Sequence, residues 1–147
     1  MSAPATPDTD QTHGPDRLLP GLVDAHTHAA WMGSRDGEYA MRMAGADYEA
    51  IAKAGGGIVA SMRAIRAASE ADIFGVLYER LQRMGAMGVT TVEVKSGYGL
   101  DEENELKQLG AIRARVTRNG LGGARVVPTF LALHALPPEA NGDRDGY

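Results

Sequence analysis

The chain reads as an α/β protein built on a parallel sheet, and two observations carry that class. A short apolar run at 18–23, a β-branched run at 89–94 and a third strand-like run at 125–133 alternate with helical patterning, in the order strand, helices, strand, helix, strand. That is the βαβ arrangement of parallel sheets. Polar residues capable of chemistry also cluster just past the C-terminal end of each strand. His26 and His28 follow the first, Lys95 to Tyr98 the second, and His134 the third. Barrels and open α/β sheets both place their active sites on that edge. Fold stability alone does not predict such a coincidence three times.

Each element has a local reason. Residues 1–17 are rich in Pro, Thr and Asp and nearly devoid of large apolar side chains, so they are expected to be a flexible leader, with His13 a solvated bystander. Leu18-Leu19-Pro20-Gly21-Leu22-Val23 fits a buried strand entered through a turn. A loop of small residues around Trp31 and Arg35 follows, then a short helix over 38–45. Asp47 caps a helix over 48–54 that Gly55-Gly56-Gly57 ends, and a second follows over 58–67. Ser69 and Asp72 form a capping box for a third, reaching to about Met84 with Ile73, Leu77 and Leu81 on one face. The run 89–94 is β-branched except for Glu93, a strong strand signal. Asp101 or Glu102 opens a helix that carries Leu106, Leu109 and Ile112 and ends at Asn119-Gly120. After the strand at 125–133 the end, 137–147, is polar and turn-rich with no helix. The chain is therefore expected to be cut off from something longer.

Composition narrows the function classes. The 147 residues amount to one modest domain, with a net charge of −4 and no Lys/Arg run, which argues against a nucleic-acid partner. There is no cysteine, hence no disulfide framework and no thiolate metal site. No apolar run approaches the ~18 residues of a membrane span. The N-terminus lacks a basic start and an apolar core, so no signal peptide is expected and the cytoplasm is the default location.

The candidate site starts from Val23-Asp24-Ala25-His26-Thr27-His28. Strand side chains alternate, so His26 and His28 project to the same side and can share one metal ion; alternatively one faces a core and the other water. Gly55-Gly56-Gly57 can cradle an anion at a helix N-terminus or simply turn the chain between helices. It matches no nucleotide-binding pattern. Arg35 can clamp a carboxylate through paired hydrogen bonds, or stand solvated. Tyr98, between two glycines, is presented at a strand end, and His134 lies on the same edge or serves as a core histidine. Glu93 supports the site or pairs with Lys95.

These residues also resemble a known family. Pro20-Gly-Leu-Val-Asp-Ala-His-Thr-His28 resembles the metal strand of the amidohydrolase superfamily, whose members are (β/α)8 barrels. A narrower set is similar to the imidazolonepropionase family: Ala54-Gly-Gly-Gly-Ile58, Arg66-Ala-Ala-Ser69, Val92-Glu-Val-Lys-Ser-Gly-Tyr-Gly-Leu100, Glu105-Leu-Lys-Gln108 and Thr129-Phe-Leu-Ala-Leu-His-Ala-Leu-Pro-Pro-Glu139. The resemblance covers about Leu18 to Glu139. It implies that 18–147 is the N-terminal part of a TIM-like barrel, about the first three βα units. His26 and His28 would ligate one Zn²⁺ or Fe³⁺, Arg35 would hold the propanoate of 4-imidazolone-5-propanoate, and Tyr98 and His134 would contact the ring and the product, N-formimidoyl-L-glutamate. His134 would also hydrogen-bond the carbonyl oxygen as charge develops there.

The departures matter as much. Family members are far longer, with a small β-rich domain from both chain ends that 1–17 does not resemble. Their remaining metal ligands, a His and an Asp, and the catalytic Glu have no counterpart here. The resemblance thus implies an enzyme that is a homodimer when full length, and these 147 residues alone are expected to be inactive and poorly folded.

Overall fold

The computed structural model describes residues 19–117 and 124–147. The leader and the expected helix end at Asn119-Gly120 lie outside the described residues. The elements are strand β1 (Leu22–Thr27), helices α1 (Asp36–Met43), α2 (Tyr48–Lys53), α3 (Ile58–Ala67) and α4 (Glu70–Ala86), strand β2 (Val89–Lys95), helix α5 (Glu102–Thr117) and strand β3 (Arg125–Thr129). They form an α/β structure around one three-stranded sheet in the order β1-β2-β3, every pairing parallel. Beyond β3 only a 3-10 turn, Pro138–Ala140, follows.

The helices start where local chemistry says they should. Asp47 accepts the Ala50 amide at 2.8 Å, and Ser69 and Asp72 form both hydrogen bonds of a capping box. The core lies between β2 and β3 and the helices. Val92 and Val94 alternate onto that face, Val126 joins them, and Ile73, Leu77 and Leu81 of α4 and Ala111 and Ile112 of α5 pack against them, nearly all of it dry. The buried face of α5 also carries Glu105, Gln108 and Arg115, while Leu106 points outward.

Two strand boundaries differ from expectation. β1 does not end at Val23 but runs through Thr27, so His26 lies inside it and only His28 lies past its end. Strand ends are set by pairing, and β1 stays registered on β2 from Leu22↔Val89 to Thr27↔Val94, with irregularities between Leu22 and Val23 and between Asp24 and Thr27. Nor is β1 buried at its start: Leu22 and Val23 are 60% and 66% exposed. β1 is an edge strand, and the main helix packing falls on β2 and β3. β3 stops at Thr129 rather than reaching Leu133, because Leu131 donates to Ser96 Oγ at 3.0 Å and the chain then turns, His134 N–H donating to Leu131 O at 3.2 Å. The first short helix starts two residues earlier than expected.

Candidate functional site

The C-terminal ends of the three strands bring most of the candidate residues to one edge. His28 is central: its ring stacks on His134 at 4.7 Å and 18°, lies 4.9 Å from Tyr98, and meets His26 edge-on at 6.1 Å. Tyr98 and His134 are themselves 5.4 Å apart. Arg35 stays outside this ring cluster. It faces His28 and Tyr98 across an open cleft of about 360 Å³, which Thr27, Trp31 and Arg80 also line. His26 is exposed and does not line that cleft.

Several contacts hold the histidine strand. Thr27 donates its hydroxyl to Glu93 O at 2.6 Å and its amide to Glu93 Oε2 at 3.3 Å. Lys95 pairs with the other carboxylate oxygen, Oε1, so the Glu93–Lys95 reading has a direct counterpart. Burial raises the Glu93 pKa, but hydrogen bonds from Lys95, Thr129 and the Thr27 amide outweigh it, and the carboxyl sits below its usual range. Beyond the strand, Arg80 lies 3.7 Å over the Trp31 ring and donates to Ala29 O at 2.8 Å and to Trp31 O.

The loop after β2 is held from α5. Glu105 accepts the amides of Gly97 (2.9 Å), Gly99 (2.7 Å) and Leu100 (3.0 Å). Gln108, one turn on, accepts the Tyr98 amide at 3.3 Å and donates to Ala30 O at 2.9 Å, tying this loop to the one after β1. Arg66 donates to Gly99 O at 2.9 Å and Leu100 O at 3.2 Å and pairs with Asp101 and Glu139. His134 Nδ1 lies 2.8 Å from Gly97 O. A carbonyl only accepts, so Nδ1 carries the proton and the neutral ring offers Nε2 as an acceptor. Donation from Nε2 to a developing oxyanion requires the imidazolium.

The donor chemistry at His28 suits a metal. Its Nδ1 is buried without a hydrogen-bond partner, and its pKa is lowered, first by burial and then by His134, His26 and Lys95. Both effects favour the neutral ring with a free lone pair, the form a metal ion needs. Two imidazoles on one ion at about 2.1 Å can have ring centres up to roughly 6 Å apart. The His26–His28 separation of 6.1 Å is wider than that, so the two rings as placed do not yet converge on one ion. Among the described residues, no three His, Asp or Glu side chains converge on a metal-sized point. His134 stacks on His28 rather than sharing such a point with it.

Glu105, Gln108, Arg66 and Arg80 were given no role by the sequence. The available signal was the spacing of Glu105, Gln108, Ala111, Ile112 and Arg115, which share one helical face where a purely structural helix would place apolar residues. The anion-cradle reading of Gly55-Gly56-Gly57 finds its anion within the chain, since the Gly57 amide donates to Glu38 Oε1 at 3.0 Å.

No family model matches the chain. Among curated proteins it is similar to those named imidazolonepropionase. The one from Caulobacter vibrioides (strain NA1000 / CB15N) is 54% identical over 130 residues, 88% of this chain and 32% of that protein. The one from Sphingopyxis alaskensis is 53% identical over 130 residues, with the same two coverages. The one from Idiomarina loihiensis is 47% identical over 148 aligned residues, 100% of this chain and 36% of that protein. The chain thus spans about a third of the length of the relatives it matches.

Proposed function

Since the chain is a homologue, over about a third of their length, of proteins named imidazolonepropionase, we propose that the whole protein hydrolyses 4-imidazolone-5-propanoate to N-formimidoyl-L-glutamate in histidine degradation. One observation carries the reading: His28, with a buried, unpartnered Nδ1 and its ring flanked by those of Tyr98 and His134, lines the same cleft as Arg35. His26 and His28 would hold a Zn²⁺ or Fe³⁺ ion. When bound, such an ion supplies hydroxide near neutral pH by lowering the pKa of a water it holds.

The chain's own residues do the rest. Arg35 takes the propanoate carboxylate and so fixes one end of the substrate. The Tyr98 and His134 rings give the planar imidazolone a shelf beside His28, and His134 Nε2 accepts from a ring N–H. Water adds at the ring carbonyl carbon, the ring carbon–nitrogen bond breaks, and the leaving nitrogen gains the proton, giving a carboxylate and a formimidoyl amine. All-parallel strands paired in sequence order support closure as the first units of an eight-stranded barrel once the rest of the relatives' length is present. A cytoplasmic homodimer belongs to the same proposal; no described helix is long and apolar enough to cross a membrane. With two histidine ligands among the described residues, the 147 residues by themselves are expected not to turn over substrate.

A graft tests this. The chain's residues replace the matching third of the Caulobacter vibrioides protein. The graft is expected to turn over imidazolone propanoate, and Arg35→Ala to raise KM about tenfold or more with a smaller effect on kcat, as loss of a charged hydrogen bond predicts. Turnover of hydantoins or purines in place of imidazolone propanoate overturns the reading.

A further inference from the structure

Arg35 is not a free clamp. Glu38, three residues on, accepts from both Arg35 Nε (2.9 Å) and Nη2 (2.6 Å) through its Oε2, while its Oε1 accepts the Gly57 amide at 3.0 Å. One carboxylate therefore joins the guanidinium to the first residue before α3. The triglycine turn is shaped around it. A Cβ on Gly56 would fall 2.9 Å from Glu38 Cδ and from Ile51 Cγ2, and Gly57 holds φ at 73°, a backbone that L side chains rarely adopt. Glu38 is mostly shielded while Arg35 is 41% exposed, so the acid is the anchored partner and the arginine the presented one.

We propose that Glu38 is the positioning residue for Arg35, and that it dictates how a carboxylate docks. A guanidinium offers a side edge, Nε with one Nη, and an end edge between the two Nη nitrogens. Glu38 occupies the side edge. The end edge keeps its donors, since no hydrogen bond to Nη1 is made among the described residues. The cleft thus takes a ligand with one carboxylate presented end-on to Arg35, and Glu38 prevents the guanidinium from rotating away. This rests on the reading of Arg35 as a carboxylate clamp.

The test uses the isotope-labelled 147-residue chain, followed by NMR, with imidazole-4-propanoate as probe and its methyl ester as control. The wild type is expected to show a slowly exchanging Arg35 Nε–H and to bind the probe but not the ester. Glu38→Ala is expected to lose the slow signal and about tenfold in probe affinity, the scale of a charged hydrogen bond. Glu38→Gln guards against a mere folding defect. Its amide has one acceptor oxygen, able to serve Gly57 or Arg35 but not both, so it should behave like Glu38→Ala with the amide fingerprint intact. Equal or tighter probe binding in these variants makes Glu38 a competitor and overturns the proposal. So do unchanged Nε–H exchange and a wild type that ignores the probe. Glu38-dependent binding with no turnover by the graft upholds the positioning role and removes the enzyme reading instead.

Discussion

Glu105 and Leu106 are neighbours on α5, and their burial is the reverse of their hydropathy. Glu105 is 2% exposed and Leu106 57%. The carboxylate stays buried because three amides of the loop before it, those of Gly97, Gly99 and Leu100, all donate to it. An unpaired buried amide costs about 1–3 kcal/mol, so Glu105→Ala should destabilise the chain by about 3 kcal/mol or more. Leu106→Ala loses little burial and should stay within about 0.5 kcal/mol. Urea midpoints of the two variants check the contrast, and equal midpoints would refute the role given to the clamp. The same side chain shows why part of the site was hidden in the sequence. His26, His28, Tyr98 and His134 announce themselves as reactive types at strand ends. Glu105 acts through amides of the loop just before its helix and Glu38 through the Gly57 amide beyond the next helix, and no helical or strand periodicity records which amides those will be.

Among the elements, what was readable depended on whether the cause was local. The caps at Asp47 and Ser69 and the β-branched run of β2 are local, and those elements stand where expected. The ends of β1 and β3 are set by partners across the sheet, so apolar runs misplaced them. The junction of α1 with α3 is likewise non-local, and it yields a pH prediction. Hydrogen bonding from Arg35, which outweighs burial, and then the Gly57 amide place the Glu38 carboxyl below its usual range. A group whose folded pKa is depressed stabilises the fold fully above its unfolded pKa, and that stability is lost as pH falls through the folded value. The α1–α3 junction should therefore hold at neutral pH and through the usual glutamate range, then loosen below it. Followed by the Gly57 amide shift, the titration midpoint should lie under the ordinary glutamate value of about 4.3. A midpoint at or above that value would mean that Arg35 and Gly57 do not hold this carboxylate.

The molecule as a whole is unequal on its two sheet faces. Toward the helices, Val92, Val94 and Val126 are sealed against α4 and α5. On the other face and at the sheet's open ends, Val23, Val127, Phe130 and Leu133 remain exposed, the last at 79%. A parallel sheet is ordinarily covered on both faces, and unpaired strand edges template association. The 147-residue chain should therefore have a real but weak cooperative fold, carried by the helix side, with a sticky opposite face. Light scattering should show association that grows with concentration, and a Val23→Lys, Val127→Lys double variant should suppress it, since it charges the open face without touching the core. Circular dichroism should place the thermal midpoint of the bare chain below that of the graft, where the rest of the relative's length can cover the sheet. Zinc binding should follow the same order, weak on the two histidines alone and tight once further ligands surround them. A bare chain that is monomeric at every concentration, melts with the graft and binds one zinc tightly would show that these residues form a complete domain with a complete metal site.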